Sequence, residues 1–148
     1  MVSPEGGLKD AVVYLMDIKT GKDYEVRPQP TLDQRGCMYV PHVLLCKANE
    51  TVVIKSSDQT LHNIHLTPKK NQELNTGMSG VGQITYTPQF PEFIRIRCDV
   101  HSWMNSWLVV QHNPYYAISD VSGSAKLTDI PSGTYKLQAR HLFFGKGE

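Results

Sequence analysis

The sequence contains no apolar run long enough to cross a membrane. Hydrophobic residues make up 40% of the 148 positions, but they occur in short stretches such as Ala11–Met16 and Trp107–Val110. A membrane-spanning helix needs about 20 such residues. The N-terminal residues, from Met1 to Gly7, include neither the basic segment nor the apolar segment of an export signal. We therefore expect no transmembrane segment in this chain and no export signal in its sequence.

An excess of charge of one sign is also absent. Lys and Arg together number 15, and Asp and Glu number 14, which gives a formal net charge of +1. No basic run indicates a nucleic-acid partner, and both signs are spread along the chain as on a solvated surface. A nucleophile beside a general base is not apparent, and no open-site metal motif such as His-Glu-x2-His occurs. We therefore expect neither a nucleic-acid-binding protein nor an enzyme.

Cysteine is scarce and odd in number, with Cys37, Cys46 and Cys98. An odd count argues against a pure disulfide framework, because at least one thiol stays unpaired. Two pairings remain open at this point. One is a disulfide between Cys37 and Cys46, and the other is a disulfide between Cys37 and Cys98 in a metal-free form, which would abolish any metal site at Cys98.

Helical periodicity is lacking as well. Apolar residues alternate or come in short runs broken by Gly, Pro, Asn and Asp, which predicts an all-β sandwich or barrel. Residues 67–83 are the least regular and are predicted to form a long loop with at most one short helical turn. The predicted strands cover residues 11–16, 39–47, 51–56, 63–66, 84–87, 93–98, 107–111, 117–120, 124–127 and 134–137.

The segment that carries chemistry follows the predicted strand 93–98. Side chains alternate between the two faces of a strand, so Cys98 shares a face with Ile94 and Ile96 and is predicted to point inward. Cys98, His101 and Met104 then follow one another at the spacing Cys-x2-His-x2-Met. A tight loop at this point would turn a thiolate, an imidazole and a thioether toward one place.

These donor types are those of a copper site. A blue-copper centre has two histidines and one cysteine in a trigonal set, with a long axial methionine. His62, which opens a predicted strand upstream, supplies the second imidazole. We therefore predict one copper ion held by His62, Cys98, His101 and Met104.

The order of these residues resembles the cupredoxins, in particular plastocyanin and amicyanin. The resemblance covers about residues 37–111, and the short loop from Cys98 to Met104 is similar to that of amicyanin. Asn49 stands where the family has a turn glycine, and Cys37 and His65 have no counterpart in its simplest members. The pattern runs through Tyr39, Pro41, Leu44, Cys46, Lys47-Ala48-Asn49, Val52, Ile54, Ser57-Asp58 and His62-Asn63.

The resemblance implies an all-β, cupredoxin-like Greek-key β-sandwich with additional N- and C-terminal strands. It implies a mononuclear type 1 copper that cycles between Cu(II) and Cu(I), with Asn63 holding the two halves of the site together. It also implies redox partner proteins that dock transiently, and a periplasmic or extracytoplasmic location. We expect residues 37–112 to form the core with the copper site, residues 1–36 to pack on it as N-terminal strands, and residues 113–148 to form a C-terminal β extension or a truncated small β-domain.

Two other functions remain open from the sequence. The first is copper storage or delivery without electron transfer, which additional ligand types at Cys37, Cys46, His65 and Met78 would support. The second is a metal-free β-sandwich interaction module with Cys98 in a disulfide. Trp103 fits either loop packing or an apolar collar around the metal, and His65 is predicted to point away from the face that carries His62, because the two are three residues apart on a strand.

Overall fold

The structure is a computed structural model and describes residues 2–4, 6–143 and 145–147, without the side chains of the last three. Its regular elements are thirteen β-strands, and the described residues include no helix capable of crossing a membrane. The strands are β1 Ala11–Met16, β2 Thr31–Gln34, β3 Tyr39–Val40, β4 Val43–Lys47, β5 Val52–Ser56, β6 Leu61–Thr67, β7 Leu74–Ser79, β8 Gly82–Tyr86, β9 Phe93–Arg97, β10 Asn105–Gln111, β11 Tyr116–Ile118, β12 Lys136–His141 and β13 Gly145–Gly147.

The chain divides into two compact units. Residues 27–112 form the larger unit, and residues 1–26 with 113–148 form the other. The division at residues 36 and 112 that the sequence suggested stays a prediction. The prediction of an all-β sandwich with strands on both sides of its core segment is confirmed.

Two sheets build the larger unit. One has the strand order β4-β10-β9-β6-β7, and the other has the order β3-β2-β5-β8. Burial alternates along β5 and β9, because every second side chain of these strands points into a common core. That core joins both sheets and contains Leu32, Tyr39, Cys46, Val52, Ile54, Ile64, Leu66, Met78, Tyr86, Ile94, Ile96, Cys98, Met104, Leu108 and Val110.

The smaller unit is one sheet with the order β11-β1-β12-β13. Its central strand β1 buries Val12, Tyr14 and Leu15, as its apolar sequence predicts. The turn after β1 depends on Gly21, whose φ is +130°. A Cβ there would lie 1.9 Å from the hydroxyl oxygen of Tyr115, so the close approach of that buried ring requires glycine.

Two of the predicted elements are wrong in a way that concerns the site. The single strand predicted over residues 39–47 is interrupted after β3, and its two parts belong to different sheets. Pro41 has no backbone N–H with which to continue a ladder. The loop predicted over residues 67–83 contains β7 and the start of β8, because β7 pairs with β6 over its full length, from Leu61↔Ser79 to Leu66↔Leu74.

Local patterns misled at two further places. Residues 124–127, predicted as a strand, are not one, and β2 was not predicted. β2 is polar at three of its four positions, Thr31, Asp33 and Gln34. It becomes a strand through pairing with β3 and β5, which its own composition does not indicate.

Candidate metal centre

Cys98 lies directly after β9 and points into the core. Ile94 and Ile96 are buried with it, whereas Arg95 and Arg97 are exposed on the opposite face. Cys98 itself is only 4% exposed. The inward orientation predicted from the period of two is therefore confirmed.

The loop that follows Cys98 closes on itself. The N–H of Cys98 donates to the carbonyl of Met104 at 3.1 Å, and the N–H of Met104 donates to the carbonyl of His101 at 2.9 Å. A third backbone donor, the N–H of His101, points at the sulfur of Cys98 at 3.3 Å. These bonds bring the three residues of the Cys-x2-His-x2-Met motif into one compact turn between β9 and β10.

His62 reaches the same place from β6. Its residue is fully buried, and its Nδ1 lies 3.2 Å from Nδ1 of His101. The sulfur of Cys98 lies 3.9 Å from Nδ1 of His101. One ligand atom from each of His62, Cys98 and His101 can be chosen so that all three lie within 4.8 Å of one another. The structure thus brings together three of the four residues singled out from the sequence.

The spacing of these donors fits a metal ion. Imidazole nitrogens at about 2.0 Å and a thiolate at about 2.3 Å from one trigonal metal would be about 3.5 Å apart for the two nitrogens and about 3.7 Å for sulfur and nitrogen. The observed separations of 3.2 Å and 3.9 Å are close to these values. Two imidazoles and a buried sulfur are also the donor set that copper prefers.

Met104 is buried in the same core cluster, with 1% of the residue exposed. Its backbone is hydrogen-bonded to both Cys98 and His101, which keeps it at the end of the loop 98–104, referred to below as the ligand loop because it carries the candidate ligands. A role of its thioether as an axial ligand stays a prediction.

Asn63 connects the two parts of the site. Its backbone N–H donates to the sulfur of Cys98 at 3.4 Å, and its side-chain oxygen accepts the N–H of Asp99 at 3.1 Å. Together with the N–H of His101, the Cys98 sulfur has two backbone hydrogen-bond donors, which hold it in place. The resemblance to cupredoxins implied this joining role for Asn63, and the contacts are consistent with it.

Tyr39 belongs to the site in a way that the sequence did not indicate. Its hydroxyl donates to the backbone carbonyl of Asn63. Burial raises the pKa of Tyr39 well above its usual value, and the adjacent Cys98 sulfur adds to this increase. Tyr39 therefore stays a neutral phenol beside the Cys98 sulfur, where the sequence pattern predicted only an aromatic core residue.

Asp58 was also missed as a site residue. Its Oδ2 lies 2.8 Å from Nε2 of His62, and its two oxygens accept the backbone N–H groups of Cys37 at 2.9 Å and Gly36 at 2.8 Å. The N–H of Cys37, followed by that of Gly36 and the His62 ring, lowers the pKa of Asp58 to about 2. The only signal in the sequence is an acidic residue in the turn four positions before His62.

The cysteine alternatives are decided by the structure, in which Cys37, Cys46 and Cys98 are all free. Both disulfides considered from the sequence are therefore wrong. Cys46 is a core thiol whose burial, with the nearby Glu50 charge, raises its pKa to about 12. Cys37 is half-buried, and its sulfur, an oxygen of Asp58 and a nitrogen of His62 form a second group within 4.8 Å.

His65 lies away from the three donors, as predicted. It is buried between two carboxylates, with Nδ1 2.8 Å from Asp99 and Nε2 3.1 Å from Glu73. Both ring nitrogens of His65 therefore already have carboxylate partners within the protein. Trp103 lies on the other side of the ligand loop, with its ring centroid 5.1 Å from that of His101, and is 63% exposed.

Comparison with known proteins found likeness in structure only. No protein-family model and no curated protein matches the chain. An oxidised mutant of amicyanin is 20% identical and superposes with a TM-score of 0.51 over 57% of this chain and 83% of amicyanin. A Cu(I) form of another amicyanin mutant is 15% identical, with a TM-score of 0.52 over 67% of this chain and 98% of amicyanin. A Cu-containing nitrite reductase (NirK) from Thermus scotoductus SA-01 is 16% identical, with a TM-score of 0.53 over 64% of this chain.

At these identities the likeness shows the fold alone. The chain has a cupredoxin-like β-sandwich, the fold that the sequence predicted. It corresponds to only 25% of the nitrite reductase, so the activity of that larger enzyme is not transferred to it. The candidate site with His62, Cys98 and His101 lies within the cupredoxin-like unit.

Proposed function

Starting from a cupredoxin-like fold, we propose that the protein binds one copper ion in a type 1 site and transfers single electrons. His62, Cys98 and His101 would hold the ion, with Met104 as the axial ligand. The observation that carries the proposal is the convergence of two imidazole nitrogens and a buried sulfur within 4.8 Å. When bound, copper would supply the one-electron couple between Cu(II) and Cu(I).

The residues around this point suit electron transfer because they restrict motion and exclude water. His62, Cys98 and Met104 are buried; His62 lies on β6, Cys98 directly follows β9, and Met104 directly precedes β10. Two backbone N–H groups hold the sulfur in place. A donor set that is already assembled before the metal arrives needs little rearrangement when the charge of the ion changes by one.

The proposal includes no catalytic activity for this chain. Its partners would be redox proteins that dock transiently beside His101, where the exposed side chains of Val100 and Trp103 offer apolar surface. Its location would be periplasmic or extracytoplasmic, as the resemblance to cupredoxins suggests.

The test substitutes two of the three cysteines, with Cys46 as the control for Cys98. Cu(II) is added to the reduced wild-type protein and to Cys98→Ser and Cys46→Ala, and the visible spectrum and copper stoichiometry are recorded. We expect one copper and an intense thiolate-to-copper absorption in the wild type and in Cys46→Ala, and no such band in Cys98→Ser. A band that survives the Cys98→Ser substitution would rule out this sulfur as the ligand.

Copper storage or delivery remains the second candidate because of one observation. The second group, Cys37, Asp58 and His62, offers a thiol, a carboxylate and an imidazole close together. A storage protein would take up more than one Cu(I) per chain and stay colourless, and Cys37→Ser would lower that number. The type 1 proposal expects one copper per chain in both the wild type and Cys37→Ser.

A further inference from the structure

The imidazole of His62 can offer a metal only one of its two nitrogens, and its protonation decides which one. A neutral imidazole carries a proton on one nitrogen and a lone pair on the other. In His62, Nδ1 faces His101 at 3.2 Å, and Nε2 faces Asp58 at 2.8 Å. Because the residue is completely buried, water is not available to satisfy either nitrogen.

The Asp58 carboxylate is held in place independently of His62. The backbone N–H groups of Gly36 and Cys37, in the turn between β2 and β3, donate to its two oxygens at 2.8 Å and 2.9 Å. Both oxygens accept backbone N–H groups, so the carboxylate acts as the acceptor toward His62 as well. The contact at 2.8 Å then places the proton of His62 on Nε2 and the lone pair on Nδ1, on the side of Cys98 and His101.

We propose that Asp58 is a positioning residue for the copper site. It fixes the tautomer and ring orientation of His62 and makes the lone pair on Nδ1 a stronger ligand for the metal. This inference rests on the function proposed above. Partners on the second nitrogen of a ligand histidine raise the basicity of the ring, and their loss commonly weakens metal binding by about 10- to 100-fold. A carboxylate hydrogen-bonded to that nitrogen would favour the more highly charged Cu(II) over Cu(I).

The test compares Asp58→Asn with Asp33→Asn. Asp33 is a suitable control because its side chain is 13% exposed, against 16% for Asp58. It accepts hydrogen bonds from the hydroxyl of Ser57 and pairs with Lys55, without a contact to His62. Three measurements are made on each protein: the tautomer of His62 by nitrogen NMR in the metal-free form, the Cu(II) affinity and the reduction potential.

We expect the wild type and Asp33→Asn to carry the His62 proton on Nε2, and Asp58→Asn to lose this single tautomer. The Cu(II) affinity of Asp58→Asn should fall about 10- to 100-fold relative to Asp33→Asn. If the Cu(I) affinity is unchanged, each tenfold loss raises the one-electron potential by about 59 mV.

Equal affinities and potentials in the two variants would overturn the proposal, since a merely structural carboxylate predicts that result. A His62 proton on Nδ1 in the metal-free wild type would overturn it without any variant, even where Asp58→Asn fails to fold. Absence of a thiolate-to-copper band in the wild type would instead refute the proposed function. The NMR measurement would then still decide whether Asp58 positions His62.

Discussion

Replacement of Met104 separates its role in packing from its predicted role as a copper ligand. The residue is 1% exposed and packs in the core cluster that also holds Ile96, Cys98 and Leu108. Met104→Ala would leave a cavity, and such substitutions cost about 2 to 5 kcal/mol of unfolding free energy. Met104→Leu nearly conserves the volume and should cost less than about 1.5 kcal/mol. The leucine variant therefore removes the thioether while keeping most of the packing.

For Met104→Leu we expect a decrease of only a few degrees in the melting temperature of the metal-free protein, together with a higher reduction potential. As an axial ligand the thioether would donate an electron pair to the metal, and its loss would penalise Cu(II) more than Cu(I) because the higher charge depends more on its ligands. A tenfold change in the ratio of the two affinities corresponds to about 59 mV. Met104→Ala should show the same direction in potential with a larger loss of stability.

The assay is voltammetry of the copper-loaded proteins, with thermal unfolding of the metal-free forms as the measure of packing. Met78→Leu is the control, since Met78 is a buried thioether in the same core cluster. Its sulfur accepts a hydrogen bond from the amide of Gln34 at 3.0 Å, so this variant has its own stability cost. A potential for Met104→Leu that equals those of the wild type and Met78→Leu would show that the Met104 sulfur is not in the site.

Two further predictions concern Tyr39, which lies at the site, and Glu92, which lies away from it and contacts Lys69, Lys70 and Asn71. Tyr39→Phe removes the hydroxyl that donates to the carbonyl of Asn63. We expect the free energy of unfolding, measured with urea, to fall by about 1 kcal/mol and the thiolate-to-copper band to shift. An unchanged band would show that this hydroxyl does not influence the sulfur. At Glu92, burial raises the pKa, but the backbone N–H groups of Lys69 and Lys70 outweigh it and the pKa is lowered overall. A carboxyl group whose pKa is lower in the folded than in the unfolded protein stabilises the fold at pH values above the unfolded pKa. That contribution is lost as the pH falls through the folded pKa. The stability gap between the wild type and Glu92→Gln should therefore be present at neutral pH and shrink below about pH 4, and a gap that stays constant with pH would contradict this.

The sequence was most informative where a short segment determines its own geometry. Cys98, His101 and Met104 lie in one loop of seven residues closed by its own hydrogen bonds, so their spacing already limits where the side chains can meet. His62 comes from a different strand, and spacing alone could not pair it with Cys98. It was chosen because a trigonal copper site needs a second imidazole, and the resemblance to cupredoxins, in which the same order of residues occurs along the chain, supported the choice.

The features that the sequence did not predict, strand β7 and the role of Asp58, depend on contacts with other segments of the chain. Strand β7 contains Gly77 and polar residues and is a poor strand by composition, yet β6 pairs with all of it. Asp58 precedes His62 by four residues, but the sequence does not state which ring nitrogen it would contact. That contact depends on the turn at Gly36 and Cys37, which orients the carboxylate from another hairpin.

Asn63, the residue after His62, links the two proposed ligands His62 and Cys98 through its hydrogen bonds. The N–H of Asn63 donates to the Cys98 sulfur, its side chain accepts the N–H of Asp99, and its carbonyl accepts the hydroxyl of Tyr39. His62 and Asn63 are adjacent on β6, so a shift of this strand would move the imidazole and the donor to the sulfur together. Opposite displacements of the two ligands would have to break at least one of these hydrogen bonds. The rigidity that the proposed one-electron site requires would thus come from Asn63, a residue that is not one of the proposed ligands.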